Sequence, residues 1–350
     1  GIERFLQALE RELALRPHGF APATVYVGGG TPTALPESAL ERLLALVREA
    51  AAPEHIVEWT CEANPGTLTA EKARALRAAG VNRLSIGAQS FDDARLRQLG
   101  RIHTANDIRE AVAIARNAGF ENLSLDVMYA LPGASLSDWN RDLDEARALR
   151  PPHISLYALS VEDGTAFARE RAVGRLVEAD EETARAQYDA ARAALTADGF
   201  AQYEISNFAW PGRESRHNQL YWSGGEYLGF GPAAHSHWRG VRWGNFQGLD
   251  DWAAAVSKAW KTRRRSIPRA FEERLDPEAR ARETLVFGLR RIAGWRRDEF
   301  REATGFDYDA LRGPEIERLV GAGLLERTAN GIRLRSDSLF VSDTAFRELI

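Results

Sequence analysis

From Thr24 onward, a short β-rich run and an amphipathic helix alternate over the first 210 residues. The period is roughly 30 residues, the length of one βα unit. Strands are predicted at Thr24–Val27, His55–Cys61, Arg83–Gly87, Leu123–Tyr129, His153–Leu159 and Gln202–Ser206. Helices are predicted at Pro36–Ala51, Thr69–Ala79, Ala105–Ala118, Ser135–Leu149 and Asp180–Ala197. Gly80 and Gly119 stand as stops, and Ser135 as an N-cap. Repeated units with right-handed crossovers give a parallel sheet with helices outside. An open doubly wound sheet and a partial barrel both satisfy this period. In either, ligands bind at the C-terminal ends of the strands.

The net charge of −4 supplies no basic field for general nucleic-acid or membrane-surface binding. No apolar run approaches the roughly 20 residues that span a bilayer. The first 15 residues mix charged and apolar residues at helical spacing, unlike a signal peptide. A cytoplasmic protein is expected. Cys61 is the only cysteine, so neither an internal disulfide nor a multi-cysteine metal site can form within these 350 residues. No metal ligand set is expected from them. A lone Cys in an apolar strand reads first as a small core residue.

Polar residues gather at the predicted strand ends. Gly28-Gly29-Gly30 closes the first strand and exposes backbone groups to a close-approaching ligand. It is neither a GxGxxG fingerprint nor a P-loop, and a plain tight turn would also explain it. Glu62, Gln89, Arg101 and Asp126 follow at or near successive strand ends. A carboxylate such as Asp126 within an apolar strand must be paired or bound. Separate structural hydrogen bonds would account for each residue alone, and one shared ligand for all four.

Taken in order, GGGTPT at 28–33, EANPG at 62–66, RLSIGAQSF at 83–91, LGRIH at 99–103 and DVMYALPG at 126–133 resemble the motif series of the oxygen-independent coproporphyrinogen III oxidase family. The resemblance implies a radical S-adenosylmethionine (SAM) core, a partial (β/α)6-type barrel, and a small C-terminal domain. It implies that Gly29, Gly30 and Thr31 contact the methionine end of SAM. Glu62, Gln89, Arg101 and Asp126 would hold its other polar groups. Ser160 and His235 match positions facing a second SAM. The family's CxxxCxxC motif, which holds a [4Fe–4S] cluster, precedes the matched region. The segment carrying it, with the first barrel strand, is therefore expected upstream of Gly1. This chain alone is expected to perform no radical chemistry and to supply no catalytic residue. The edge of Thr24–Val27 would then be exposed.

The expected division is a barrel over 1–210, an aromatic and His-rich connecting region over 211–267, and a winged-helix-like domain over 268–350. In the last, helices at Arg280–Leu289, Arg297–Ala303 and Pro314–Ala322 precede a hairpin turning at Asn330-Gly331. The Lys258–Arg265 run reads as a solvated surface or linker, not a nucleic-acid patch. His217 opens HNQLYW, which resembles the HNxxYW motif of HemW-type heme chaperones, where the oxidases carry Arg-Asn. Imidazole is a good iron ligand. The resemblance therefore implies heme bound through His217 and delivered to acceptor proteins, membrane respiratory components among them. A homodimer fits the family. The alternative implied function is oxidative decarboxylation of coproporphyrinogen III.

Overall fold

A computed structural model describes residues 1–262 and 266–350; the basic residues Arg263, Arg264 and Arg265 lie outside the described residues. Seven strands form one curled sheet: β1 (Thr24–Val27), β2 (Glu58–Ala63), β3 (Arg83–Gln89), β4 (Asn122–Tyr129), β5 (His153–Ala158), β6 (Ala201–Glu204) and β7 (Asn207–Ala209). Their spatial order is β1-β2-β3-β4-β5-β7-β6. β1 to β5 are parallel, as the period predicts. The sixth predicted strand, Gln202–Ser206, is instead a tight hairpin. β6 pairs antiparallel with β7, and β7 antiparallel with β5. The polar Glu204–Asn207 stretch turns the chain: Glu204 accepts from Ser206 N (2.8 Å) and Asn207 Nδ2 (2.5 Å). The sheet is an open half-barrel with β1 at one edge and β6 at the other.

The five helices predicted between the strands form close to their expected bounds. Ser135 and Thr104 each form a reciprocal capping box, and Gly80 ends its helix with φ +110°. The second strand begins later than predicted, because Pro53–His55 forms a 3-10 turn. Side chains alternate across each parallel strand. Trp59, Cys61 and Ala63, then Leu84, Ile86 and Ala88, then Leu123, Leu125 and Val127, belong to the core under the helices.

The N-terminal helix Ile2–Ala14 buries Leu6, Leu9 and Leu13 against helices Glu37–Ala51 and Leu249–Lys261. Its Glu12 is fully buried and ties three segments together. It accepts from Gly231 N (2.7 Å), Asn245 Nδ2 (2.7 Å) and Trp252 Nε1 (3.1 Å). Burial pushes its carboxyl up to about 7, against the opposing pull of these donors. Between the unfolded value near 4.5 and the folded value, the native state holds a proton that the unfolded chain has released. Stability from this group is therefore lost as pH rises through that window. The thermal midpoint of the wild type should fall more steeply from pH 5 to 8 than that of Glu12→Gln. Parallel curves would show that Glu12 is not the source.

The aromatic and His-rich region expected over 211–267 contains defined elements: a short helix, Arg216–Trp222, and the strands β8 (His235–Trp238) and β9 (Val241–Gly244). With β10 (Phe271–Glu273) they form a three-stranded antiparallel sheet. Helices Pro277–Leu289, Arg297–Thr304 and Tyr308–Gly321 follow, with β11 (Trp295–Arg296), β12 (Leu325–Arg327) and β13 (Gly331–Leu334) as a wing. The third helix starts six residues before the predicted Pro314 and is broken at Arg312 (φ −142°). Pro314 has no N–H for the helical ladder and its ring clashes with the preceding turn, which kinks the helix there.

Candidate functional site at the inner face and rim of the half-barrel

The faces of β2–β5 turned away from the helices are predominantly polar. Glu58, Thr60 and Glu62 alternate with the core residues of β2, Arg83 and Ser85 with those of β3, Ser124 and Asp126 with those of β4, and His153 and Ser155 with those of β5. A parallel sheet packed on both faces would read as near-continuous apolar strands. Here the register aligns polar side chains across neighbouring strands: Thr60 with Arg83, Glu62 with Ser85, Ser85 with Ser124, and Asp126 with Ser155. This pattern was present in the sequence (EWTCEA, RLSIGA, NLSLDV, HISLYA), but only Asp126 was singled out there as a buried polar group.

At the rim, Glu62 accepts from Tyr26 Oη (2.8 Å) and from Gly29 N (3.2 Å). Burial raises its carboxyl above the usual range, the Tyr26 bond opposes this, and the neighbouring Asp126 charge adds to it. Gly28 is required by this contact, since a Cβ there would stand 2.6 Å from Glu62 Oε1. Gly29 has φ +83°, a conformation costly to other residues. Asp126 has no cationic partner within salt-bridge distance among the described residues. It accepts from Ser85 Oγ (3.0 and 3.1 Å) and Ser124 Oγ (3.3 Å), and burial raises its carboxyl. Gln89 adopts φ +66° where the β3–β4 register shifts, a strained backbone of the kind found at ligand sites. Arg101 lies half-buried between helices Asp93–Gln98 and Ala105–Asn117, and its guanidinium makes no hydrogen bond or ion pair among the described residues. Ser160 is exposed and donates to Glu162 (2.8 Å).

His217 sits in the helix Arg216–Trp222, whose start is held by β2. Glu58 accepts from Ser215 Oγ (3.4 Å), Arg216 N (3.0 Å) and His217 N (3.0 Å). Both imidazole nitrogens are engaged, Nδ1 with Thr24 Oγ1 (2.9 Å) and Nε2 with Tyr221 Oη (3.2 Å). Tyr221 lies at i+4 on the same helical face. The ring also stacks on Tyr26, with centroids 5.2 Å apart. Burial lowers the His217 pKa to about 4, with Glu58 opposing, so the ring is neutral at physiological pH.

A cavity of about 1160 Å³ runs along the edge of β1. Gly29, Gly30, Thr31, His217 and His235 line it; Glu62, Gln89, Arg101, Asp126 and Ser160 do not. Among the described residues, no three His, Cys, Asp or Glu side chains converge as a metal site. Cys61 is fully buried, and burial pushes its thiol up to about 12. The residues present thus do not fit an iron–sulfur cluster, and no step is derived through one. The rim does fit SAM, because it offers a glycine cradle closed by Glu62 and a buried carboxylate without a cation.

Residues 3–146 match the radical SAM superfamily model, and residues 275–337 match the HemN C-terminal domain. Heme chaperone HemW of Bacillus subtilis is 34% identical over 349 residues, spanning 99% of this chain and 90% of that protein. The chain belongs to the HemW heme chaperone family. Escherichia coli HemW is 33% identical over 331 residues, covering 94% of the chain and 84% of that protein. A bovine relative, radical S-adenosyl methionine domain-containing protein 1, mitochondrial, is 35% identical over 357 residues, covering 98% and 79%. Coproporphyrinogen III oxidase (HemN) from E. coli, a radical SAM enzyme, superposes with a TM-score of 0.83 at 21% identity, over 99% of this chain and 83% of that one. It shares the HemW fold of half-barrel plus C-terminal unit. No helix of the described residues is long and apolar enough to cross a membrane.

Proposed function

We propose that this chain binds heme through His217 and hands it to acceptor proteins, with a SAM pocket at the half-barrel rim. The observation that carries the heme reading is a neutral imidazole on the wall of a large aromatic cavity, inside the HNQLYW segment. Iron ligation requires the neutral ring. Bound heme would supply the iron, and the His217 imidazole would hold it. At the rim, Gly29, Gly30 and Thr31 would take the methionine end of SAM. Glu62 suits its amino group, Arg101 its carboxylate, and Gln89 and Asp126 its ribose hydroxyls. Ser160 and His235 are assigned to a second SAM. The same reading takes residues 1–210 as the barrel, 211–267 as connecting region and 268–350 as the C-terminal domain. It places the protein in the cytoplasm as a homodimer without nucleic-acid partners, serving heme proteins that include membrane respiratory components.

The test loads the chain with hemin and mixes it with a heme-free b-type cytochrome, following the Soret band. Transfer of hemin supports the proposal. Failure to take up hemin overturns it. Formation of protoporphyrinogen IX from coproporphyrinogen III, with SAM as oxidant, by a protein that also carries the family's CxxxCxxC segment with a reconstituted cluster favours the oxidase reading instead.

A further inference from the structure

The inner face carries a continuous line of hydrogen bonds that joins the rim to the His217 helix. Ser124 Oγ lies 3.3 Å from Asp126 Oδ1 and 2.8 Å from His153 Nδ1. His153 Nε2 lies 2.8 Å from Tyr203 Oη, and Ser215 N donates to that oxygen at 3.3 Å. Ser215 caps the helix Arg216–Trp222, accepting from Asn218 N (3.3 Å), and stands two residues from His217. His153, Ser124 and Ser215 are fully buried. The rim and the helix thus share one buried polar network.

Hydrogen counting gives one arrangement that satisfies the whole line. When Asp126 is ionised it can only accept, and Ser124, which also lies 3.3 Å from Ser155 Oγ, donates to it in that arrangement. Ser124 then accepts from His153 Nδ1–H, which makes His153 the Nδ1–H tautomer. His153 Nε2 accepts from Tyr203 O–H, and the Tyr203 oxygen accepts from Ser215 N–H. Every donor along the line is used. The opposite polarity would leave Tyr203 O–H without its acceptor, and unmet buried donors are costly. The network therefore has one satisfied arrangement and one strained one. The state of Asp126 selects between them, because bonds in such a line polarise one another. Glu58 holds the same helix start directly from β2. Ser215 is thus the point where the two anchors of the helix meet.

We infer that the line Asp126–Ser124–His153–Tyr203–Ser215 couples occupancy of the rim to the seating of the helix that carries His217, with His153 and Tyr203 as positioning residues. The inference rests on the SAM and heme reading given above for its two ligands, and on geometry alone for the coupling itself. Its content is an energetic link: a SAM hydroxyl donating to Asp126 weakens the pull on Ser124 and changes how readily His217 leaves Tyr221.

The test uses the full chain in three forms: wild type, Tyr203→Phe and Asp126→Asn. Hemin affinity is read from Soret titrations with and without saturating SAM, and SAM affinity by calorimetry with and without hemin. In the wild type each ligand should change the other's affinity by the same factor, about fivefold or more. In Tyr203→Phe, which loses one hydroxyl, hemin binding without SAM stays near wild type and the factor falls toward one. A wild-type factor of one with both ligands bound, or an undiminished factor in Tyr203→Phe, overturns the coupling. A ligand-free arm follows amide hydrogen exchange over residues 215–222. Faster exchange in Asp126→Asn supports the link, and unchanged exchange overturns it. If SAM or hemin does not bind at all, the functional reading falls, while the exchange arm still decides the coupling.

Discussion

Alanine at His217 is expected to weaken hemin binding by at least about tenfold and to shift the Soret band. Losing only a residue that supports a metal ligand costs roughly 10- to 100-fold in affinity, and losing the ligand itself should cost no less. The imidazole is neutral, and no proton has to leave before it meets iron. It is also doubly engaged, with Thr24 on one side and Tyr221 on the other. Ligation through Nε2 must break the Tyr221 bond, at a net cost of about 0.5–1.5 kcal/mol. Tyr221→Phe should therefore bind hemin as tightly as wild type, or up to about tenfold tighter, because it releases Nε2 in advance. An unchanged Soret band and affinity in His217→Ala would remove His217 as the ligand.

The largest stability effect is expected in the C-terminal unit. Trp295 is 1% exposed and packs edge-on against Phe300, with centroids 5.3 Å apart. Its Nε1 donates to the carbonyls of Thr284 and Leu285, both at 3.1 Å, and the Arg291 guanidinium lies over its ring at 4.3 Å. A Cβ on Gly288 would stand 2.0 Å from the indole, so the ring rests directly on the helix backbone. Trp295→Ala should cost about 3–5 kcal/mol, as for other buried aromatic truncations. The loss is read by urea denaturation followed at the C-terminal unit. A loss under about 1 kcal/mol would show that this core closes around the gap.

The sequence announces what local chemistry determines. The cap at Ser135, the Gly80 stop and the Asn330-Gly331 turn all act within a few residues, so the elements they bound are legible. The parallel order of β1 to β5 follows from the βα period. The reversal at Glu204–Asn207 was not legible, because two bonds to one carboxylate make the turn and no glycine or proline marks it. Helix Arg216–Trp222 is not announced locally, because its start is stabilised by Glu58, more than 150 residues away in the chain. For the site, the motifs supplied the rim residues. They could not show that Asp126 is held by serines, that Arg101 stands without a partner among the described residues, or that His217 has both nitrogens engaged. Those facts depend on contacts that only the folded chain brings together. The polar alternation in β2–β5 was visible, yet its meaning required the register that lines the residues up.

That alternation has a consequence for how such a protein can change over evolutionary time. Along each central strand, odd and even positions answer to different pressures. One set faces the helices and keeps the molecule folded; the other faces the hollow and decides what enters it. A substitution on the hollow side leaves the packing under the helices intact. Lineages that share this scaffold are therefore free to exchange one chemistry for another, a hydroxyl or an imidazole at a time, without passing through an unfolded ancestor.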